Sequence, residues 1–175
     1  MILETTRLIL REMTPADYPA LAAILQDREA MFAYEHAFSD EETTAWLNRM
    51  LERYNTDGFG LWAVVLKTTG EMIGQCGLTW QDFSGNRVLE IGYLFQRKHW
   101  KQGYAIEAAR ACKAYAFETL RADEVFSIIR NNNVGSMNVA IRNGMTIRGS
   151  FIKHYYGIDM PHFAFSVRKS QQENN

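Results

Sequence analysis

A nearly continuous apolar run, VLEIGYLF, extends from Val88 to Phe95 and is followed, after a short polar loop, by a helical pattern that begins at Gly103. Apolar residues at successive positions predict a strand covered on both faces, and therefore a central strand of a sheet. Small residues along one side of the helix let it lie close against that sheet, and these are Ala105, Ala108, Ala109, Cys112 and Ala116. The chain is therefore expected to build a layered α/β domain around this strand and helix.

The remaining segments supply the other elements of such a domain. Leu8 and Leu10 alternate with charged residues in a first strand, and Thr14 and Ser39 each begin a helical segment with a capping signal. Further strands are predicted at 61–67, 72–79, 88–95, 124–130, 145–154 and 162–167, and further helices at 103–120 and 134–143. The predicted order is β-α-α-β-β-β-α-β-α-β-β, a mixed α/β (α+β) fold with one central twisted mixed sheet of about six to seven strands and about four helices. We expect a single domain, 1–169, and a disordered tail, 170–175.

The composition argues against several classes of function. A net charge of -1 over 175 residues argues against a dedicated nucleic-acid-binding protein, which needs a broad basic field. No apolar run approaches the roughly 20 residues that span a bilayer, and no signal sequence is recognisable, so we expect a cytoplasmic protein that does not bind membranes. Cys76 and Cys112 lack CxxC spacing and are expected to be buried, reduced thiols. His99, His154 and His162 lack metal-ligand spacing, and no metal is predicted.

The loop between the central strand and the helix has the properties of an anion site. The first turn of a helix presents unpaired N–H groups and a partial positive charge, and Gly103 would let a phosphate approach the backbone without meeting a Cβ. Four basic residues in the same loop suit a ligand with several phosphate charges, and these are Arg97, Lys98, His99 and Lys101. A solvated basic loop that caps a helix explains the same residues equally well. Neither GxGxxG nor GxxxxGK[ST] is present, which argues against Rossmann and P-loop sites.

The stretch WKQGYAIEAA, from Trp100 to Ala109, resembles the coenzyme-A signature of the GNAT superfamily of N-acetyltransferases, in which a Q/R-x-x-G-x-G/A loop wraps the pyrophosphate. Trp100 at the first place is similar to the ribosomal-protein-alanine acetyltransferase-like (RimJ/RimL-like) branch. Other segments resemble this branch in the same order over nearly the whole chain, and these are TTRLILREMTPAD, SDEETTAWL, TGEMIGQCGL, LEIGYLF and NNNVGSMNVAIRNGM. The resemblance implies the GNAT fold.

The same resemblance implies acetyl-CoA as the co-substrate. The residues that would bind it are Leu94, Phe95, Arg97, Lys101, Gln102, Gly103, Tyr104, Ala105, Asn133 and Asn138. Asn133 would contact the pantetheine chain, although a plain helix cap is an alternative for this residue. The chain departs from the family pattern at four positions. Arg97 replaces a usual proline, His99 a tyrosine, Lys101 a glycine and Met145 a phenylalanine.

The resemblance further implies direct transfer of the acetyl group to a primary amine, on a protein N-terminus or a small molecule, without an acyl-enzyme. In agreement, the sequence offers no Cys–His or Ser–His–Asp arrangement for a covalent nucleophile. Glu90 is the candidate general base because it is the only ionisable residue in the central strand, where burial should raise its pKa. A carboxylate at a sheet edge that pairs with an arginine is an equally good interpretation.

Two further roles follow from the resemblance. The thioester oxygen would accept from a backbone N–H near Leu94 or Phe95, where GNAT sheets splay, and Gly92 suggests a bulge that opens this gap. Many relatives have a tyrosine acid on the short helix, but Ala140 occupies that position here. In the RimJ/RimL-like branch a serine of the N-x-x-S motif is the substitute, which indicates Ser136. We expect its hydroxyl to stabilise the leaving thiolate by a hydrogen bond.

The acceptor pocket is expected across the sheet from the coenzyme, and its candidate residues are Phe32, His36, Trp80, Tyr93 and Tyr155. Each of them also fits a packing role; His36 and Tyr155, which have polar neighbours, are the strongest candidates. Two other functions remain open. One is a coenzyme-A-binding module that has lost turnover, and the other is a small RNA-associated protein that uses the basic loop. We expect a monomer or a homodimer.

Overall fold

The computed structural model describes residues 1–171, which form one eight-stranded sheet and four α-helices. The strands are β1 (Leu3–Glu4), β2 (Leu8–Arg11), β3 (Leu61–Leu66), β4 (Met72–Phe83), β5 (Asn86–Phe95), β6 (Glu124–Arg130), β7 (Thr146–Tyr155) and β8 (Ile158–Arg168). The helices are α1 (Tyr18–Leu25), α2 (Asp40–Thr56), α3 (Tyr104–Glu118) and α4 (Val134–Arg142).

The predicted mixed α/β fold and its order of elements are confirmed, with one difference in the number of strands. There are eight strands rather than six to seven, because the two-residue strand Leu3–Glu4 pairs with β2 and is too short to show an alternating pattern. Lys169–Gln171 form a 3-10 turn that includes the first two residues of the predicted disordered tail. Residues 172–175 of that tail lie outside the described residues.

The sheet has the strand order β1-β2-β3-β4-β5-β6-β8-β7, and it contains one parallel junction, between β5 and β6. The antiparallel neighbours β4 and β5 are paired along their length, from Gly74↔Phe95 to Phe83↔Asn86. In contrast, β5 and β6 meet only at the pair Glu90↔Phe126. The two halves of the sheet therefore separate beyond this pair and leave a gap in its centre.

Helix α3 covers one face of the sheet, and α1 and α2 cover the other. Ala108, Ala109 and Cys112 of α3 are fully buried against β4 and β5, which confirms the close packing expected of small residues. The sulfur atoms of Cys76 and Cys112 are 3.6 Å apart, and both residues are free, buried thiols as predicted. Within residues 1–171, no helix combines the length and the apolar character that crossing a membrane requires.

The bulge expected at Gly92 is absent, and this prediction was wrong. β5 stays in register with β4 through the pair Gly77↔Gly92, whereas a register shift occurs in β3 between Val64 and Val65. A Cβ on Gly92 would lie 3.3 Å from Cδ2 of Leu61, so close packing accounts for the glycine. The gap in the sheet therefore arises from the divergence of β5 and β6.

Candidate active site

The backbone of β5 directs N–H groups into the gap, while the carbonyl of Phe95 accepts from Trp100 Nε1 at 2.8 Å. The N–H of Gln96 donates to Ile73 O on β4 at 2.9 Å, and Leu94 lies in register with Gln75. Since backbone groups alternate sides along a strand, the N–H groups of Tyr93 and Phe95 point away from β4 and into the gap. Of the two residues predicted near the oxyanion donor, Phe95 therefore has its N–H on the side of the gap, and Leu94 faces β4.

A cavity of about 320 Å³ occupies the gap. Its wall comes from α2, β5, β6, the first turn of α4 and the hairpin of β7 and β8. It brings together six residues that were predicted for the site: Glu90, Tyr93, Leu94, Asn133, Ser136 and Tyr155. These residues come from three separate parts of the chain, β5, the start of α4 and the end of β7, so their convergence supports a common site.

Glu90 is held in the cavity wall by two hydrogen bonds. Its Oε1 accepts from the backbone N–H of Ile128 at 3.0 Å, and its Oε2 accepts from the hydroxyl of Thr79 at 3.4 Å. Burial raises the pKa of Glu90 above its ordinary value of 4.5, and the hydrogen bond from Ile128 and the charge of Lys153 lower it by less. Because its partners are an amide and a hydroxyl on interior strands, the alternative of an arginine-paired carboxylate at a sheet edge is not supported.

The start of α4 is fixed beside Glu90 by two contacts. Asn133 Oδ1 accepts from the N–H of Ser136 at 3.1 Å, so this residue is a helix cap, as the alternative interpretation required. The hydroxyl of Tyr93 donates to Ser136 O at 2.8 Å, and burial raises the pKa of this tyrosine. Both contacts place the Ser136 side chain at the cavity wall. Asn138 is exposed on α4, outside this wall.

The loop that follows β5 has an unusual backbone shape. Gly103 has a φ of 81° and directly precedes α3, whose first residues are Tyr104 and Ala105. Lys101 has a φ of 61°, although side chains disfavour this left-handed region. The usual glycine of the family at this position is explained by that conformation. Arg7, in the turn between β1 and β2, donates from Nη1 to Gln102 O at 3.0 Å and holds the loop.

The basic residues of the loop are mostly engaged with carboxylates. Arg97 Nε lies 2.5 Å from Asp27 Oδ2, and its Nη1 lies 2.5 Å from Glu29 Oε2. Lys98 Nζ lies 2.5 Å from Glu71 Oε1. The charge of Arg97 is thus matched by two acids from the segment after α1, and its binding of the coenzyme stays a prediction. Within residues 1–171, Lys101 is the cation of this loop that makes no ion pair.

Trp80 lies on the wrong face of the sheet for the predicted acceptor pocket. Thr79 and Gln81 line the cavity, and their neighbour Trp80 points to the face covered by α3, because side chains alternate along β4. There it packs 5.9 Å from the ring of Phe59, with the Arg87 guanidinium 4.5 Å from its own ring. The prediction for Trp80 is corrected.

Phe32 and His36 lie beside the cavity and outside its wall. Phe32 is exposed, and its carbonyl accepts from Arg130 Nη1 at 3.2 Å. His36 Nε2 lies 2.9 Å from Glu42 Oε1, and its ring is 4.4 Å from that of Tyr156. Of the five predicted acceptor residues, only Tyr93 and Tyr155 are part of the wall.

Several residues in the wall were missed by the sequence analysis. Arg49 and Arg53 of α2 and Lys153 of β7 are cationic, and His162 is buried with Nδ1 2.8 Å from Met160 O. Burial lowers the pKa of His162, which favours the neutral ring. A signal for the arginines was available, since they lie four residues apart on the helix that carries Trp46. Among the described residues, no three His, Cys, Asp or Glu side chains group as metal ligands would.

A family model and a bacterial relative both match most of this chain. The family model described as Acetyltransferase (GNAT) domain matches residues 7–146. The chain is 38% identical over 144 residues to the uncharacterized protein YkkB of Bacillus subtilis, and the match covers 82% of this chain and 84% of YkkB.

Solved structures share the fold. An acetyltransferase of the GNAT family from Bacillus anthracis has a TM-score of 0.83 and 22% identity, covering 97% of this chain and 99% of that one. The ribosomal L7/L12 alpha-N-protein acetyltransferase RimL, in complex with coenzyme A, has a TM-score of 0.76 and 19% identity, covering 95% and 97%. Spermidine N-acetyltransferase from Vibrio cholerae, in complex with CoA and spermine, has a TM-score of 0.78 and 16% identity, covering 97% and 100%.

Proposed function

Because this chain belongs to the GNAT family of acetyltransferases, we propose that it transfers an acetyl group from acetyl-CoA to a primary amine by direct attack. The observation that carries the proposal is the gap between β5 and β6. It places the carboxylate of Glu90 and the free N–H of Phe95 along one strand, and that strand continues directly into the loop before α3.

The residues of the loop fit a coenzyme with phosphate groups. The first N–H groups of α3 are unpaired within the helix and point toward the loop, where the left-handed backbone of Gly103 keeps the approach free of a Cβ. Lys101 adds a cation that forms no ion pair with the part of the chain that the structure describes. When bound, acetyl-CoA would supply the thioester and the thiolate leaving group. The side chain amide of Asn133 remains at the cavity wall, where it can contact the pantetheine arm.

Each catalytic requirement has a residue in the cavity. Glu90, with its raised pKa, accepts the proton of the attacking amine. The N–H of Phe95 donates to the carbonyl oxygen as negative charge develops there. The hydroxyl of Ser136 donates to the departing sulfur, and Tyr93 positions it through the hydrogen bond to its carbonyl.

The acceptor is a protein N-terminal amine or a small-molecule amine, and the RimJ/RimL-like branch is supported by the likeness of the fold to RimL. We propose a cytoplasmic location, which agrees with two buried cysteines that lack CxxC spacing.

Release of free thiol on mixing the protein with acetyl-CoA and a panel of amines tests the proposal. We expect thiol release that depends on the amine and that is absent when the amine is omitted. Calorimetric titration with coenzyme A provides the second measurement. Binding without amine-dependent thiol release across the panel would favour a silent coenzyme-binding module, and no heat on well-folded protein would contradict both.

A further inference from the structure

The acceptor side of the cavity carries an excess of positive charge. Its wall contains four cationic side chains, Arg49, Arg53, Arg130 and Lys153, and one carboxylate, Glu90. This local charge contrasts with the whole chain, whose net charge is -1. A cluster of positive charges inside a concave site attracts negatively charged ligands, so the excess indicates that the ligand carries an anionic group.

One of the four cations is already neutralised. Arg130 Nη2 forms an ion pair with Glu35, and its Nη1 donates to Phe32 O at 3.2 Å. This arginine therefore links β6 to the segment between α1 and α2. Its charge is therefore matched without a ligand, while its buried Nε finds no hydrogen-bond partner among the described residues.

Arg49 and Arg53 have no such compensation. They lie one helical turn apart on α2, a spacing at which like charges repel each other. Within residues 1–171 neither forms an ion pair, and the nearby Asp57 lies 3.5 Å from Arg87 Nη2 instead. Burial lowers the pKa of Arg53 and the charge of Arg49 lowers it further, while the charges of Asp57 and Glu90 raise it by less. Two like charges thus lie one turn apart at the cavity wall with partial compensation, and a bound anion would relieve their repulsion.

Lys153 supplies a third unpaired cation from a different element. It lies on β7, and it makes no ion pair with the described residues. Both Lys153 and Arg53 act electrostatically on Glu90 and oppose the rise of its pKa. The two cations therefore act on the general base from two elements of the cavity wall, Arg53 from α2 and Lys153 from β7.

We propose that the acceptor is a small primary amine that also carries an anionic group, with its amine directed to Glu90 and its anion to Arg49, Arg53 and Lys153. This inference rests on the proposed acetyl transfer and names the class of acceptor. A carboxylate or a phosphate would satisfy the same three cations. The cavity of about 320 Å³ is at the small end of ligand sites, which favours a compact molecule.

The same charges exclude polyamines as the preferred acceptors. Spermine is bound by the structurally similar enzyme from Vibrio cholerae, and a polyamine would bring several positive charges. In this chain those charges would meet three cations and a single carboxylate. The repulsion makes such an acceptor unfavourable.

Matched pairs of amines test the proposal. Glycine with glycinamide, β-alanine with β-alaninamide, and O-phosphoethanolamine with ethanolamine differ in one anionic group, which the second member of each pair lacks, and spermidine represents the cationic class. We expect kcat/KM to be higher for the anionic member of at least one pair by about tenfold or more, with spermidine poorest. The carboxylate and phosphate pairs identify which anion is recognised. Equal or higher kcat/KM for the neutral members, or for spermidine, would overturn the proposal.

Variants separate recognition of the acceptor from recognition of the coenzyme. In Arg53→Gln and in Arg49→Gln the preference for the anionic member should fall by about tenfold, while the Kd of coenzyme A should change less than about twofold. Arg142→Gln is the matched control, because Arg142 is exposed at the end of α4 and outside the cavity. An unchanged preference in both cavity variants, or a loss of coenzyme affinity instead, would contradict the proposal.

Failure of acetyl transfer can be told apart from failure of this inference. If no amine releases thiol, the proposed function fails, and calorimetry on the protein saturated with coenzyme A still measures binding of the same pairs. Tighter binding of the anionic members, weakened in Arg53→Gln, would support an anionic ligand. Equal binding within every pair, or no binding of any member, would overturn it.

Discussion

The carboxylate of Glu90 accepts a hydrogen bond of 3.0 Å from the backbone N–H of Ile128, across the gap where β5 and β6 separate. In a regular parallel ladder this N–H would donate to a backbone carbonyl of the neighbouring strand. The carbonyl of Ile91, on the neighbouring strand, accepts instead from the hydroxyl of Ser127 at 2.9 Å. Two side chains thus satisfy the backbone at the point where the ladder ends, and one of them is the candidate base.

Replacement of this carboxylate separates its two roles. In Glu90→Gln the amide oxygen can still accept from Ile128, but the side chain cannot take a proton from the amine. We expect kcat to fall by about a hundredfold or more while the Kd of coenzyme A stays nearly the same. Glu90→Ala, which also loses the hydrogen bond, should lower the melting temperature as well. A wild-type rate in Glu90→Gln would remove this residue from the mechanism.

The pH dependence follows from the direction of the pKa shift. Burial raises the folded-state pKa of Glu90 above 4.5, and the base must be ionised, so kcat/KM should fall as the pH falls through this raised pKa. The same shift means that ionisation costs stability, and the free energy of unfolding should decrease as the pH rises through that range. In Glu90→Gln both effects should disappear. Identical pH profiles of wild type and variant would contradict the assignment.

Gly103 is expected to affect both the stability of the protein, through its backbone conformation, and the binding of the coenzyme, through its position before α3. Gly103→Ala should lower the free energy of unfolding by about 1–2 kcal/mol, because a side chain disfavours its φ of 81°. Gly85→Ala is the matched control, since Gly85 has a φ of 74° in the turn between β4 and β5. Only the change at Gly103 should weaken coenzyme binding in calorimetry, and Gly103→Asp should abolish it through repulsion of phosphate. Unchanged affinity in folded Gly103→Asp would refute the anion site.

Lys101 combines a strained backbone with a free charge, and two variants distinguish these properties. Lys101→Gly should raise the free energy of unfolding by up to about 1 kcal/mol, because glycine adopts its φ of 61° without a steric cost. Lys101→Gln keeps the strain. Both variants should bind coenzyme A more weakly and with a smaller dependence on salt. Full affinity in both would exclude a role of the lysine in binding phosphate.

Arg97 should be dispensable for the coenzyme because its charge is matched by Asp27 and Glu29. In Arg97→Gln the Kd of coenzyme A should change by less than about twofold in calorimetry, in contrast to Lys101→Gln. Any loss should appear as a lower melting temperature, since the contact joins the loop to the segment after α1. A loss of affinity as large as that of Lys101→Gln would instead support the original prediction for Arg97.

Local patterns in the sequence predicted the four helices and seven of the eight strands, but not partners that are distant in the chain. Arg97 meets acids that precede it by about 70 residues, and no local pattern reveals such a pair. Trp80 was misplaced because the predicted strand ended at Thr79. β4 continues to Phe83, so alternation carries Trp80 to the opposite face. Arg49 and Arg53 were not predicted because they lie outside the apolar stripe of α2, and only the tertiary structure brings them to the cavity wall.

The single residue pair that joins β5 to β6 limits how far the stability of this protein can be raised without loss of activity. A longer ladder would make the sheet more stable, but it would use up the amides and carbonyls that a ligand needs. Mutations that raise the melting temperature by extending the pairing between β5 and β6 should therefore inactivate the protein. Pairing of the two strands and binding of a ligand need the same backbone groups. The length over which β5 and β6 stay unpaired is therefore stability that the fold gives up for binding.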